Sequence, residues 1–201
     1  MLKPKHMPGN NAGFLFCFKK ASHIDAARET TARVAFQRLV QSLTNSDIVH
    51  VEILAIRHCT HHKFTLYPYS YNTLLAPGFH KNSILKCLGP AYDILYMPMD
   101  AARTQRGVRF LDSLLNYPYN IWGLGEAWLH QFIPERHRRT HAELVQQAGR
   151  SVFCTQAALR LCYVTECVRD DIAPEYCTPS QMHDILLKNG AALIHFDSVK
   201  A

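Results

Sequence analysis

The sequence contains no long apolar run and no amino-terminal segment of the secretory type. Its first apolar stretch, FLFCF at residues 14–18, is only five residues long, whereas a membrane-spanning helix needs roughly 18 or more. The preceding residues 1–12 are mostly polar and rich in Pro, Gly and Asn, without the apolar centre of a signal peptide. We therefore expect a flexible tail over residues 1–12, no transmembrane segment and no secretion signal.

Cysteine pairing motifs are also missing. The chain has seven cysteines, an odd number, and none of them forms a Cys-x-x-Cys pair. This pattern argues against a disulfide framework and against a zinc ribbon. Free thiols in a reducing compartment fit better, which predicts a cytoplasmic location, or the virion and host cytoplasm if the protein is viral.

One local cluster, HCTHH at residues 58–62, raises the alternative of a zinc site together with His50. A closed zinc site needs four ligands, and neighbouring residues of a strand point to opposite faces. The histidines and the cysteine are therefore too tightly spaced to share one ion. We interpret the cluster as a solvated turn and predict no metal and no other cofactor.

Acidic residues are fewer than basic residues, 16 against 22. An excess of this size suits contact with an anionic surface, such as a nucleic acid, a membrane or an acidic partner. The basic residues gather in ERHRRTH at residues 135–141, which is either such a contact segment or a solvated loop or helix start. Ten Phe and nine Tyr would suit nucleic-acid binding, but no recognised binding motif accompanies them.

Hydrophobic periodicity and turn residues predict a single α+β domain over residues 13–201. Strands are expected at residues 13–20, 47–56, 63–71, 91–98 and 191–196, and turns at 57–62 and 76–79. Helices are expected at residues 22–45, 100–116, 151–168 and 177–190. The predicted helix caps are Ser22 or Asp25, Asp100, Ser151 and Thr178.

Cys154 and His50 are the candidate reactive residues. Cys154 lies at the start of a predicted helix, where the helix dipole and unpaired backbone N–H groups lower a thiol pKa and can stabilise an oxyanion. His50 lies within a strand and is a candidate base. The alternative is structural: a buried cysteine is often core filler, as we expect of Cys162 and Cys167, and a strand histidine is often a satisfied core or edge residue.

Four short motifs occur in a fixed order: HVEI on a strand, YPYN after a helix, FCTQAALRL at a helix start and CTPSQMHDIL before a final strand. Over residues 13–196 this set resembles the circularly permuted NlpC-like branch of the papain-fold cysteine hydrolases. That branch includes lecithin:retinol acyltransferase-like enzymes, YiiX-type bacterial proteins and a poxvirus virion protein. Its His-bearing strand precedes its Cys-bearing helix, and the fold it implies is an antiparallel sheet packed against helices.

The resemblance implies roles for individual residues. Cys154 matches the nucleophile and His50 the base. The group that orients the base is expected on the next strand, where it points to His62, with His61, Thr65 and Tyr67 as alternatives, and the absence of a carboxylate there departs from many members. Tyr119 and Asn120 match a segment near the substrate cleft, or serve only to fix a turn.

The sequence thus predicts a thiol-dependent acyl hydrolase or acyltransferase that works through a covalent acyl-enzyme. Its substrate would be a peptide, a lipid or another acyl compound, because the same residue pair serves all of these in the resembling families. The alternative is a catalytically silent papain-like fold that serves as a binding or structural protein, for instance in a virion.

Overall fold

In a computed structural model, the described part of the chain comprises residues 12–24, 30–60, 63–74, 76–84, 87–121, 123, 151–169, 172, 174 and 177–194. The α-helices in these ranges are α1 (Thr31–Thr44), α2 (Ala101–Ser113), α3 (Cys154–Val164) and α4 (Pro179–Lys188). The strands are β1 (Ala12–Lys20), β2 (Ile48–Thr60), β3 (Lys63–Leu74), β4 (Gly78–Ser83), β5 (Tyr92–Met99) and β6 (Ala192–Ile194). No helix in the described ranges is both long and apolar enough to span a membrane.

The strands form one sheet in the order β4-β3-β2-β1-β5-β6, and all neighbouring pairs are antiparallel. The central strand β1 is buried from Ala12 to Lys19. A strand covered on both faces needs apolar residues at nearly every position, which accounts for the apolar run FLFCF. The α+β class and the antiparallel sheet packed against helices are confirmed.

The two sheet faces carry different cores. Phe14, Phe16 and Phe18 point to the face that α2, α3 and α4 cover. Leu15 and Cys17 point to the other face, where they pack with residues from 84 to 96. The alternation of β1 between two buried faces follows from the two-residue period of a strand.

The β2–β3 hairpin is longer than the sequence suggested. The predicted turn at residues 57–62 is wrong for residues 57–60, because β2 continues to Thr60, which pairs with Lys63. Arg57 and His58 are exposed there. The ladder of backbone hydrogen bonds extends beyond the covered part of the sheet, so polar side chains do not end the strand.

The predicted turn at residues 76–79 contains only Ala76 and Pro77, and Gly78 already begins β4. This strand, GFHKNS, lies at the edge of the sheet and is mostly polar. Polar residues on an edge strand discourage pairing with other chains, and they also remove the apolar alternation by which a strand is recognised in a sequence.

Two predicted helix starts are wrong. The helix expected from residue 22 begins at Thr31, with the Thr30 hydroxyl accepting from Arg33 N–H. Ser22 instead donates to Asp47, and Asp25 lies outside the described residues. The helix expected from Ser151 begins at Cys154, ends at Val164 and has Phe153 at the N-cap position.

Two other caps are confirmed. Asp100 accepts from Arg103 N–H at 2.7 Å at the start of α2. Thr178 caps α4 with Pro179 at the first helical position, and Gly190, at φ +91°, follows its end. The predicted tail over residues 1–12 extends one residue too far, because β1 begins at Ala12. Residues 1–11 lie outside the described ranges.

Candidate active site

His50 is held by an amide from the neighbouring strand. Its Nε2 lies 2.8 Å from Oδ1 of Asn72 on β3. An amide oxygen only accepts hydrogen bonds, so Nε2 carries the proton and Nδ1 is left as the basic nitrogen. Both residues are buried, with exposures of 7% for His50 and 1% for Asn72. The structure therefore presents an oriented imidazole with one tautomer selected.

The partner of His50 lies on the next strand of the hairpin, as predicted, but one residue beyond the predicted bounds of 63–71, and it is not one of the predicted residues. Thr65 and Tyr67 are near the far end of the hairpin, where Thr65 pairs with His58. Neither of them hydrogen-bonds to His50, whose partner among the described residues is Asn72. His61 and His62 lie outside the described residues.

The register explains why Asn72 was missed. Ile53 pairs with Tyr71, so alternation places His50 and Asn72 on the same face of the hairpin. Two irregularities between Leu54 and His58 shift the pairing, and they cannot be counted from a sequence. Asn72 is flanked by Ser70 and Thr73, which are also buried and polar, so no sequence signal singles it out.

Cys154 is the first residue of α3 and is 5% exposed. A short parallel bridge between Tyr119 and Val152 positions the chain just before the helix. Gln156 then reaches back from the first turn, and its Oε1 accepts from Phe153 N–H at 3.3 Å. These contacts fix the start of the helix although Phe153 provides no capping oxygen.

The backbone N–H groups of Val51, Thr155 and Cys154 itself lie near the Cys154 sulfur and act to lower the pKa of the thiol. Two of them belong to the first turn of α3, where N–H groups have no partner within the helix. The third comes from β2, at the residue that follows His50. The thiol therefore lies against the peptide unit that joins His50 to Val51.

The thiol and the imidazole approach this peptide unit from different sides. In the β1–β2 ladder Val51 pairs with Phe18, on the face that α3 covers, and His50 pairs with Lys19, on the other face. Both residues are described, and no hydrogen bond joins the Cys154 sulfur to His50. The predicted pair is adjacent along the strand without a direct bond.

Burial dominates the titration of both groups. It raises the pKa of the Cys154 thiol to about 11, although the three backbone N–H groups act in the opposite direction. Burial also lowers the pKa of His50 to about 3, assisted by the positive charge of Arg33 and against the hydrogen bond to Asn72. The N–H groups of the helix start lower the thiol pKa as expected, but burial outweighs them, and the net shift of the pKa is upward. At neutral pH both groups are uncharged.

A cavity of about 400 Å³ opens beside His50, between α1 and the strands β2 and β3. Its apolar lining is Ala32, Phe36, Val49, Leu74 and Ala76, and its polar lining is Thr30, Arg33, Gln37, His50 and Thr73. A mostly apolar concavity with a few polar groups is the usual form of a small-molecule site.

Further polar side chains are buried on the sheet face that carries His50. Lys19 Nζ donates to Gln37 Oε1 at 3.2 Å, and both residues are 4% exposed. The Glu52 carboxylate accepts from the hydroxyls of Ser70 and Tyr92. Burial raises the pKa of Glu52 despite these hydrogen bonds. Buried polar groups that are hydrogen-bonded to one another rigidify the part of the sheet that holds the imidazole.

Tyr119 and Asn120, the predicted substrate residues, lie next to the start of α3. The Tyr119 ring packs edge-on against Phe36, with 5.4 Å between the ring centroids, and so joins the α3 start to the cavity wall. Burial raises the pKa of Tyr119, and so does the neighbouring Cys154. Asn120 Oδ1 accepts from Gly123 N–H at 2.8 Å, which fixes its own turn.

Within the described ranges, no group of three or more His, Cys, Asp or Glu side chains is placed to hold a metal ion. The basic segment at residues 135–141 lies outside those ranges. Comparisons of this chain with family models, curated proteins and solved structures gave no match.

Proposed function

We propose that this protein is a thiol-dependent acyl hydrolase or acyltransferase, with Cys154 as the nucleophile and His50 as the base. The observation that carries the proposal is the position of Cys154 as the first residue of α3, with the N–H of Val51, the residue after His50, also near its sulfur. Backbone N–H groups at a helix start stabilise a thiolate and the oxyanion that follows from its attack on an acyl carbonyl.

In this proposal Asn72 is the group that orients the base. By accepting from His50 Nε2–H it leaves Nδ1 free to take the proton of the thiol. A Cys-His-Asn set is the arrangement of papain-like proteases. The chain order, with the His-bearing β2 before the Cys-bearing α3, agrees with the permuted papain-like fold that the sequence motifs suggested, and we propose that fold here.

The reaction begins from two neutral groups. His50 Nδ1 takes the thiol proton as the sulfur attacks the acyl carbonyl, and an acyl-enzyme forms while the leaving group departs with that proton. Water or another acceptor then releases the acyl group. No hydrogen bond joins the two side chains at rest, and they lie on opposite faces of β2. The proposed proton transfer therefore requires a local rearrangement of β2 on substrate binding, because rotation of a side chain does not carry it across a sheet.

The cavity beside His50 supports an acyl compound as substrate. Its five apolar lining residues accommodate a hydrocarbon or a side chain, and Arg33 and Gln37 offer hydrogen-bond donors for a polar end. Peptide, lipid and other acyl substrates all meet this description. No metal or organic cofactor takes part in the proposed steps.

The second candidate is a catalytically silent fold that binds or assembles with other molecules. Two observations favour it: the pKa of Cys154 is about 11, and the sulfur makes no hydrogen bond to His50. A thiol of this kind is nearly all protonated at neutral pH and reacts slowly without a base.

The pH dependence of Cys154 alkylation distinguishes the two functions. If only free thiolate reacts, the rate with iodoacetamide rises about ten-fold per pH unit up to about pH 11. If His50 assists, the rate is nearly constant over the neutral range, and His50→Gln restores the ten-fold rise. Peptide mass spectrometry on the folded protein follows each cysteine separately.

Activity on a panel of esters, thioesters and peptides completes the test. Cys154→Ala should abolish the acyl-enzyme, His50→Gln should lower kcat/KM by about 100-fold or more, and the matched control Cys162→Ala should retain activity. If Cys154→Ala kept the activity of the wild type, the hydrolase proposal would be wrong. If the alkylation rate of Cys154 is constant over the neutral pH range but no compound of the panel is hydrolysed, His50 still acts as the base and the tested compounds are not the substrates.

A further inference from the structure

The end of α3 holds two cysteines against each other, far from the start of the helix that carries Cys154. Glu166 lies just beyond the helix with φ +54°. Its N–H donates to the Tyr163 carbonyl, and the N–H of Cys167 donates to the Cys162 carbonyl at 3.0 Å. This pair of bonds is the Schellman motif, in which the residue after the left-handed position packs on the last turn of the helix.

In this chain both residues that the motif brings together are cysteines. The 3.0 Å bond between Cys167 N–H and the Cys162 carbonyl limits the separation of their Cα atoms to about 7 Å, the upper limit for a disulfide. The two thiols are close enough that each changes the pKa of the other. The turn therefore holds the pair at disulfide-forming distance while both thiols are free.

The two thiols differ in reactivity. Cys162 is fully buried, and burial raises its pKa well above the ordinary value. Cys167 is only half-buried, and its pKa is lowered chiefly by its contact with Cys162 and also by the Thr165 hydroxyl, which donates to its sulfur at 3.4 Å, and by the charge of Arg103. Cys167 is thus the more accessible and the more readily ionised of the two thiols, and Cys162 is its buried neighbour.

Ion pairs hold the turn in place from outside. Arg106 lies 3.2 Å from the Glu166 carboxylate, and Arg103 lies 3.6 Å from it. Both arginines belong to α2, so the turn is tied to a second helix. A preorganised turn loses little conformational freedom when its two sulfurs join.

We propose that Cys162 and Cys167 form a reversible disulfide under peroxide stress, which makes the end of α3 an oxidative modification site. The Cys167 thiolate attacks one peroxide oxygen, the O–O bond breaks, and Cys167 becomes a sulfenic acid while the other oxygen leaves as hydroxide or alkoxide and takes up a proton. The Cys162 sulfur then attacks the Cys167 sulfur, the S–O bond breaks, and the Cys162 proton leaves with the hydroxyl as water. A dithiol reductant reverses the change.

The full-length protein is treated with hydrogen peroxide, and the remaining thiols are blocked and digested with trypsin. Both cysteines fall in the peptide of residues 161–169, between Arg160 and Asp170, so the disulfide makes this peptide lighter by two hydrogen atoms. We expect this loss of mass at peroxide doses that do not oxidise Cys17 and Cys87, which the blocking reagent then alkylates. Those two thiols also lie close together, but both are fully buried. A peptide that stays fully alkylated at every dose overturns the proposal.

Two variants and an experiment in urea test the roles of Cys162, Cys167 and the turn, so the test does not depend on the correct folding of any single variant. In Cys162→Ala, Cys167 should accumulate as sulfenic acid that dimedone traps. The variant Arg103→Gln should slow the oxidation of Cys167, because it removes a positive charge that lowers the pKa of this thiol. Unfolding the wild type in urea should abolish the preference for this pair. If selectivity persisted in urea, the proximity of the cysteines in sequence would suffice and the role of the turn would be refuted.

Discussion

Because the pKa of His50 is about 3 in the folded protein, protonation of this residue should drive unfolding. The ordinary pKa of histidine is about 6.5, so the unfolded chain binds the proton more tightly than the folded chain does. A lowered histidine pKa therefore contributes stability that is present above pH 6.5 and is lost as the pH falls toward 3. The perturbation we consider is His50→Gln, which removes this titration and retains a polar side chain.

The magnitude follows from the two pKa values. Each unit below pH 6.5 costs about 1.4 kcal/mol, and the sum between pH 7 and pH 5 is about 2 kcal/mol. We expect the wild type to lose about 2 kcal/mol more unfolding free energy over this range than His50→Gln does. Other titrating groups, such as the buried Glu52, are common to both proteins and cancel in the difference.

Urea unfolding at constant ionic strength, followed by circular dichroism at several pH values, measures the difference directly. The exposed His23 provides a matched control, because His23→Gln removes an imidazole outside the core. Parallel stability curves for the wild type and His50→Gln, within about 0.5 kcal/mol, would show that His50 is not buried as a neutral ring. The proposed mechanism, in which a neutral His50 acts as the base, would then be wrong as well.

Three further substitutions test the contacts that position the site. Asn72→Ala should cost about 1 to 3 kcal/mol in urea unfolding, because it leaves His50 Nε2–H buried without an acceptor; wild-type stability would contradict the orienting bond. Gly107→Ala should cost about 1 to 3 kcal/mol, since an added Cβ would lie 2.7 Å from both Phe14 and Leu161; the exposed control Gln105→Ala on the same helix should stay within about 0.5 kcal/mol. Thr178→Ala should lower thermal stability by about 1 kcal/mol through the loss of the α4 cap; an unchanged melting temperature would show that the cap is redundant.

Much of the fold followed from local signals. The apolar run of β1, the Asp100 cap and the Thr178-Pro179 start of α4 each depend on residues close together in the chain, so the sequence sufficed to predict them. The edge strand β4 and the polar end of the β2–β3 hairpin were missed, because backbone pairing to a neighbouring strand defines them and side-chain patterning does not.

The site shows the same division. The sequence by itself placed Cys154 at a helix start and His50 on a strand, because both placements rest on local residue types. Only the tertiary structure decided that Asn72 holds the imidazole, since the hairpin irregularities set the register, and that the thiol touches the peptide beside His50. It also reversed the expected thiol pKa, because the cost of burying a charge depends on everything packed around it.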